Sequence, residues 1–225
     1  DLYIGTLLLS LKRWLEMFSS ENVLFNEIGY IKIKLDSKVL KKLNTYIKNK
    51  TTNTNKILAG NISGSYNLID KDNYFFNNVL TPLIIKYNNE FGPTSPITLT
   101  KNCAYVLDRF WVNFQKKYEF NPIHHHSGVW SFVIWIQIPS SYKKEIELPF
   151  IKHANSPLPN TFQFITVDGV GKITTYQQKL EPSDKGTMLF FPAQLNHCVY
   201  PFYLSNKQRI SISGNISLDP TQIIQ

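Results

Sequence analysis

The stretch Thr187-Met188-Leu189-Phe190-Phe191-Pro192-Ala193-Gln194-Leu195-Asn196-His197 places a short apolar run before a proline, a turn and a histidine. Such a run, rich in aromatic side chains and bounded by Gly186 and Pro192, is typical of a buried β-strand. Similar runs, separated by Pro, Gly, Asn and Asp, fill the second half of the chain. They lie at 103–107, 109–117, 122–126, 130–138, 160–167, 171–178, 187–191, 196–203 and 208–217. This series predicts a β-sandwich or a β-barrel.

The first hundred residues mix one strand with helices. Residues 30–35 alternate as a strand does, and Asp36 supplies an N-cap for a helix that ends near Asn49. A second amphipathic helix is predicted over 73–91, with a kink at Pro82. We therefore predict one domain over 1–225, in which 1–100 form a helical and strand support and 101–217 form the β core. The fold class is mainly β with N-terminal helices.

Composition excludes some classes of protein. Hydrophobic residues make up 43% of the 225 and charged residues 18%, which allows a packed core and argues against global disorder. The net charge of +8 could attract an anionic partner, but the lysines are dispersed, so nucleic-acid binding is not favoured. Residues 7–18 are too short and too charged to span a membrane. Cys103 and Cys198 are expected as reduced, buried thiols of a cytoplasmic protein.

Three of the five histidines are consecutive, in Asn121-Pro122-Ile123-His124-His125-His126-Ser127-Gly128. On a strand, His124 and His126 point to one face and His125 to the other. Two imidazoles at that spacing can share a metal ion, and imidazole suits Fe, Zn, Cu and Ni. The alternative is a surface histidine cluster, because short His-rich tracts are weak compositional cues. His153, in a probable loop segment, is expected in solvent.

A second signal is the pair of His197 and the strand Arg209-Ile210-Ser211-Ile212-Ser213 twelve residues later. Arg209, Ser211 and Ser213 share one face of this strand. An arginine on a face inside a barrel needs an anionic partner, and a guanidinium suits a carboxylate, which it can bind bidentately. The alternative places this polar face in solvent and the isoleucines in the core, and periodicity alone allows both.

In this order and spacing, the segments resemble the 2-oxoglutarate/Fe(II) oxygenases, above all their prolyl-4-hydroxylase-like branch. The likeness covers roughly residues 28–217, and its nearest match is to oxygenases of marine bacteriophages. The segments that carry it are Leu58-Ala59-Gly60-Asn61-Ile62, Trp111-Val112-Asn113-Phe114, the histidine run, Ser131-Phe132-Val133-Ile134-Trp135, Leu189-Phe190-Phe191-Pro192 and Arg209 to Ser213.

The resemblance implies a double-stranded β-helix (jelly roll) that binds Fe(II) and the cosubstrate 2-oxoglutarate, with ascorbate as a candidate accessory reductant. His124 and His197 match the two family histidines, and Arg209 matches the arginine that pairs with the far carboxylate of 2-oxoglutarate. The residues expected beside the cosubstrate are Ser211, Ser213, Trp135 and Asn113. The implied reaction is hydroxylation of a substrate, with decarboxylation of 2-oxoglutarate to succinate.

One position departs from the family pattern. The usual triad of two histidines and a carboxylate has its acid two residues after the first histidine, where this chain has His126. We expect His124, His126 and His197 as three metal ligands, which raises the charge at iron by one. In the alternative register His126 is the first ligand, and Ser127 and Gly128 follow it. That register leaves an open coordination position, as in halogenating relatives.

Two rival functions share these features. A three-histidine dioxygenase that uses no 2-oxoglutarate would bind iron but would have no use for an inward Arg209. A structural or binding jelly roll would have no metal at all. The substrate remains open between a protein, a nucleotide and a small metabolite, as does the oligomeric state. If the phage likeness holds, the cytoplasm is that of an infected host.

Overall fold

The computed structural model describes residues 20–25, 28–92, 103–168 and 170–223. Residues 7–18, which the sequence excludes as a membrane span, lie outside these ranges. Strands dominate the described chain and form two sheets, which confirms the predicted jelly-roll class. Within the described chain, no helix is long and apolar enough to cross a membrane.

The larger sheet has seven strands, in the order β1-β2-β9-β6-β11-β4-β3. Its strands are β1 (Ser20–Phe25), β2 (Ile28–Lys34), β3 (Ser65–Asn67), β4 (Cys103–Gln115), β6 (Trp130–Gln137), β9 (Thr187–Pro192) and β11 (Arg209–Ile223). All neighbouring strands in it are antiparallel. The two strands predicted at 103–107 and 109–117 are one continuous strand, β4. Asp108 does not interrupt it because that side chain is exposed.

The smaller sheet has four strands, in the order β5-β10-β7-β8. They are β5 (Asn121–His124), β7 (Thr161–Val167), β8 (Ile173–Lys179) and β10 (His197–Val199). The two sheets enclose one apolar cluster, which includes Trp135, Phe162, Phe164 and Phe191. The functional residues lie at the edge of this inner cluster.

Helices cover the opposite face of the larger sheet. Helix α1 (Ser37–Lys48) begins as predicted, because the Asp36 carboxylate accepts a hydrogen bond of 2.7 Å from the Val39 amide. Helix α2 (Thr81–Phe91) ends before Gly92, which has a φ of 76°. A one-turn helix, α3 (Tyr142–Glu145), follows β6.

The irregularity predicted at Pro82 lies one turn earlier, as a π-helical turn over Phe76–Leu80. Proline lacks an N–H, so the carbonyl four residues before it loses its usual donor and the preceding turn widens. Short 3₁₀ turns occupy Asn55–Ile57, Lys71–Asn73 and Pro182–Asp184.

Strand β11 shows how the alternation in its sequence is used. Ile212 is fully buried in the cluster between the larger sheet and the helices. Arg209 and Ser213, on the other face, are also buried. The isoleucines of β11 therefore face the core, as the alternative interpretation required. The polar face of β11, however, is enclosed between the two sheets and does not face solvent.

The single-domain organisation over 1–225 stays a prediction. The described strands β1, β2 and β3, from the predicted support, share the larger sheet with strands of the predicted β core.

Candidate functional site

Three histidine rings meet between β5, β10 and the turn after β5. His197 begins β10 and is the direct partner of His124 at the end of β5. Their ring centroids are 4.2 Å apart, and the ring of His126 lies 5.0 Å from His124 and 4.9 Å from His197. One ligand atom from each of the three residues lies within 4.8 Å of the others. The structure therefore brings together the three histidines that the sequence singled out.

The backbone conformation that places His126 at the site differs from the prediction. Strand β5 ends at His124, so His124 and His126 do not share a strand face. The chain turns, and the His126 amide donates a hydrogen bond of 2.8 Å to the Ala193 carbonyl. The turn closes at Gly128, which has a φ of 98° and whose added Cβ would lie 2.7 Å from the Ile216 carbonyl oxygen. The ring reaches the site through a glycine-dependent turn, not through strand alternation.

Backbone carbonyls fix the orientation of two of the rings. The Nδ1 atom of His124 is 2.7 Å from the Pro122 oxygen, and that of His197 is 2.8 Å from the Leu195 oxygen. A carbonyl can only accept, so each Nδ1 carries the proton and each Nε2 keeps a free lone pair. A ligand atom of His124 lies in the three-histidine cluster.

The site keeps its imidazoles neutral. Burial lowers the pKa of all three histidines, and the charge of neighbouring histidines, His125 among them, lowers it further. The pKa of His126 falls to about 3, and Arg109 contributes to that shift. Neutral imidazole is the form that binds a metal ion.

These features fit a divalent transition-metal ion. Three neutral imidazoles, two of them oriented by backbone carbonyls, form a donor set that suits Fe(II). The hydrogen bonds at Nδ1 of His124 and His197 are the support that metal-bound histidines usually have. Among the described residues, no carboxylate or thiolate joins the three histidines in the cluster. The donor set is therefore all nitrogen.

Arg209 lies elsewhere in the same cavity and is 1% exposed. Its Nε and Nη2 atoms donate to the Gln115 side-chain oxygen at 3.0 and 2.8 Å. Nη2 also donates to the Tyr200 carbonyl at 2.8 Å, and Nη1 donates to the Asn160 side-chain oxygen at 3.0 Å. The Phe202 ring packs against the guanidinium, 5.4 Å from its centroid to Cζ. Four of the five N–H groups are thus used, and one on Nη1 is left for a ligand.

The charge of Arg209 lacks an acidic partner. Every acceptor around it is neutral, and it forms no ion pair with another residue in the described ranges. Burial lowers its pKa to about 9, and the nearby carboxylate of Glu145 opposes that shift. The guanidinium is still charged at neutral pH. A buried, charged group of this kind calls for an anion.

The other predicted residues lie along one row of the same cavity. Ser211 is opposite both Asn113 and Trp135 across the sheet, and Ser213 is the next inward residue of β11. Asn113 accepts a hydrogen bond of 2.8 Å from the Ser65 hydroxyl, and Trp135 is 1% exposed. All four side chains line the cavity.

The cavity connects the histidines to Arg209 and holds about 40 Å³ of space for water-sized molecules. It is partly enclosed by the segment Leu58–Gly60, which packs over it.

The sequence analysis missed the residues that hold Arg209. Gln115 continues the inward alternation of Trp111 and Asn113, and it is the direct partner of Arg209, so that alternation could have revealed it. Asn160 had no such signal, because it lies before β7 with a positive φ of 53°. Its side-chain nitrogen donates to the Ser140 and Leu180 carbonyls, at 2.9 and 2.8 Å.

Comparison with known proteins supports the class that the sequence resembles, the 2-oxoglutarate/Fe(II) oxygenases. A family model described as "Putative 2OG-Fe(II) oxygenase" matches residues 109–215. That range runs from Arg109 to Asn215 and contains the three histidines and Arg209. No match was found among curated proteins.

Solved structures resemble this fold at low sequence identity. HygX from Streptomyces hygroscopicus, with nickel and 2-oxoglutarate bound, superposes with a TM-score of 0.52 and 10% identity over 87% of this chain and 85% of HygX. A prolyl-4-hydroxylase from Pseudomonas putida gives 0.49 and 13% identity, over 85% of this chain and 94% of that one. The family-model match supports the 2OG-Fe(II) oxygenase superfamily, whose cofactors are Fe(II) and 2-oxoglutarate.

Proposed function

We propose that this protein is an Fe(II)- and 2-oxoglutarate-dependent oxygenase. The observation that carries the proposal is the charge of Arg209. A fully buried guanidinium without an acidic partner lies in one cavity with three neutral histidines. A dianionic keto acid satisfies both ends, since one carboxylate can neutralise the arginine while the keto acid end reaches a metal ion.

The roles of the residues follow from their positions. His124 and His197 hold the iron through Nε2, and His126 is the third ligand. When bound, iron(II) supplies the activation of oxygen that is coupled to decarboxylation of 2-oxoglutarate to succinate. The family match and the fit of the donor set support this assignment of the metal.

Arg209 binds the far carboxylate of 2-oxoglutarate with its remaining N–H group. Bidentate binding would require Gln115 to give up its two hydrogen bonds with the guanidinium. The hydroxyls of Ser211 and Ser213 add donors on the same row. Trp135 and Asn113 form the wall of the cosubstrate site.

The all-histidine donor set changes the charge balance. Iron(II) with three neutral ligands keeps a charge of two, one more than with the usual carboxylate. The dianion of 2-oxoglutarate balances that charge, and the positive charge of Arg209 then remains beside it. The inward arginine argues against a three-histidine dioxygenase without 2-oxoglutarate and against a non-catalytic jelly roll, because neither requires a buried cation.

The finer assignments are part of this proposal. We infer that the protein hydroxylates a substrate and that it acts in the cytoplasm. We also infer that its nearest relatives are phage oxygenases. Ascorbate would act as an accessory reductant. No nucleic acid or membrane partner is proposed.

An anaerobic titration tests the proposed function. Purified protein receives Fe(II) and then 2-oxoglutarate, and the visible charge-transfer absorption of an iron–keto acid chelate is recorded. We expect the absorption in the natural protein and in His153→Ala, whose histidine is an exposed loop residue outside the site. We expect none in His197→Ala. Iron binding without the absorption would favour the cosubstrate-free dioxygenase, and no iron binding would favour a binding protein.

A further inference from the structure

A second pocket opens onto the same histidines. It holds about 190 Å³ of space for water-sized molecules, and the side chains of His124 and His126 line it as well as the first cavity. Leu58, Ala59 and Trp111 are also common to both. Arg209 belongs only to the first cavity, whereas Arg109 belongs only to the second. The two pockets therefore approach the candidate metal site from different sides.

Strand geometry places the two arginines at opposite ends of one row. Arg109, Trp111, Asn113 and Gln115 alternate along β4 and so share one face. Arg109 is opposite Asn215 of β11, whereas Gln115 is opposite Arg209. Six residues of strand separate these two rungs by about 20 Å. A cosubstrate held at Arg209 leaves the Arg109 end free.

The second pocket is positively charged. Arg109 is exposed and forms no ion pair with any residue that the structure describes. The residues that line the pocket include no aspartate or glutamate. The adjacent Asp108 does not line this pocket, and the Ser217 hydroxyl lies 3.5 Å from its carboxylate.

The pocket also has an apolar side and further polar groups. Ile57, Leu58 and Trp111 provide apolar surface, and Ser127 and Asn215 provide polar groups. The Ser131 hydroxyl donates to the Asn215 side-chain oxygen at 3.1 Å, which orients that amide. An apolar body with one anionic group is complementary to this lining.

We propose that the second pocket is the substrate site, and that its substrate is a small organic anion whose carboxylate or phosphate is bound by Arg109. This inference rests on the proposed function, since it assigns the substrate class of the same metal site. Arg109 acts as a specificity-determining residue, because it contacts the anionic group and not the reacting carbon. A guanidinium binds either anion well.

Matched probe pairs test the substrate class by calorimetry. Phenylacetate is compared with phenylacetamide, and phenyl phosphate with phenol, on protein that carries Fe(II) and saturating 2-oxoglutarate under anaerobic conditions. Saturation keeps the probes away from Arg209. We expect at least one anion to bind tenfold or more tightly than its neutral partner, and the preferred pair identifies the carboxylate or the phosphate class.

Variants locate that preference. In Arg109→Gln, the preferred anion should lose at least tenfold in affinity while its neutral partner changes less than twofold. Lys172→Gln removes the same charge from an exposed turn between β7 and β8 and should leave the probe affinities unchanged. With Co(II) in place of iron, proton signals of the bound anion should broaden, as expected for a ligand beside the metal.

The outcomes separate this inference from the proposed function. Equal affinity for anions and neutral partners, or an anion preference that survives in Arg109→Gln, overturns the assigned substrate class even if 2-oxoglutarate binds. Failure of the iron and 2-oxoglutarate absorption overturns the proposed function. The probe comparison is then made on the Co(II) protein, where it still decides whether Arg109 binds anions.

Discussion

Arg209 and Arg109 occupy the two ends of one row in the same fold, but their surroundings are opposite. Arg209 is 1% exposed and donates four hydrogen bonds to neutral oxygens. Arg109 is exposed and lacks an ion-pair partner among the described residues. His124 and His126 line the pockets of both arginines, whereas His197 lines only the cavity of Arg209.

The difference shows two ways of binding an anion. The buried arginine is held in place before the ligand arrives, so little side-chain entropy is lost on binding, but its unbalanced charge costs stability. The exposed arginine costs little when the pocket is empty, and it is adaptable and screened by salt. A cosubstrate that is always the same suits the first arrangement, and selection among substrates by charge suits the second.

The largest expected effect tests Arg209, the buried arginine. Arg209→Gln should weaken 2-oxoglutarate binding at least a hundredfold, or about 3 kcal/mol, because the ligand's carboxylate would be buried without its counter-charge. Calorimetry on the metal-loaded protein measures this loss. Lys172→Gln, the same charge change at the surface, should stay within twofold. A loss below tenfold for Arg209→Gln would remove the contrast between the two arginines.

A smaller effect, on stability, is expected at Glu145, which fixes the segment that contacts Arg209. Glu145 is fully buried, and its carboxylate accepts hydrogen bonds from the Tyr203 and Leu204 amides and the Ser140 hydroxyl. An amide in its place would turn an N–H group toward these donors. Glu145→Gln should lower the free energy of unfolding by about 2 kcal/mol, or roughly 4–8 °C in Tm.

The exposed Glu147→Gln is the control for that change in a thermal melt. The segment that Glu145 holds adjoins Tyr200 and Phe202, which contact Arg209. Glu145→Gln should therefore also weaken 2-oxoglutarate binding, by less than Arg209→Gln does. Equal melting temperatures for the two glutamate variants would show that the stability of the region around Arg209 does not depend on the Glu145 carboxylate.

The smallest effect concerns the histidines that line both pockets. Burial holds the pKa of His126 at about 3, against 6.5 in the unfolded chain. As pH falls below 6.5, the unfolded chain takes up a proton that the folded apoprotein refuses, so the apoprotein loses stability. The loss from His126 at pH 5.5 is about 1.4 kcal/mol.

Urea denaturation of the apoprotein at pH 7.5 and 5.5 measures that loss. His126→Asn should lose less stability between the two pH values than the natural protein does, whereas the exposed His153→Asn should lose the same amount. An identical pH dependence in all three proteins would mean that His126 titrates normally when folded.

Local patterns in the sequence predicted most of the β-strands and the residues that meet at the site. His124, His197 and Arg209 could be found because strand alternation and chemical type coincide at them. The path of His126 could not be predicted, since a turn closed by Gly128 and a hydrogen bond to Ala193 replaces the expected strand.

The polar groups around Arg209 were harder to predict because strand periodicity does not record their contacts. Asn160 is 49 residues from Arg209 in sequence, and Tyr200 contributes a backbone carbonyl, which no side-chain pattern marks. The enclosure of the polar face of β11 depends on the packing of the two sheets. The smaller sheet covers it, and no property of β11 alone reveals that cover.

The pairing of β4 with β11 has a consequence for how the chain folds. Arg209 and Gln115 are 94 residues apart in sequence yet are neighbours in the sheet. Such distant pairing requires closure of a long loop, which slows folding. Under the proposed function, a partly folded or newly synthesised chain would not bind 2-oxoglutarate until the strand that begins at Arg209 has joined the sheet. Because 2-oxoglutarate would bind only the folded protein, a high cellular concentration of 2-oxoglutarate would shift the folding equilibrium toward the folded protein.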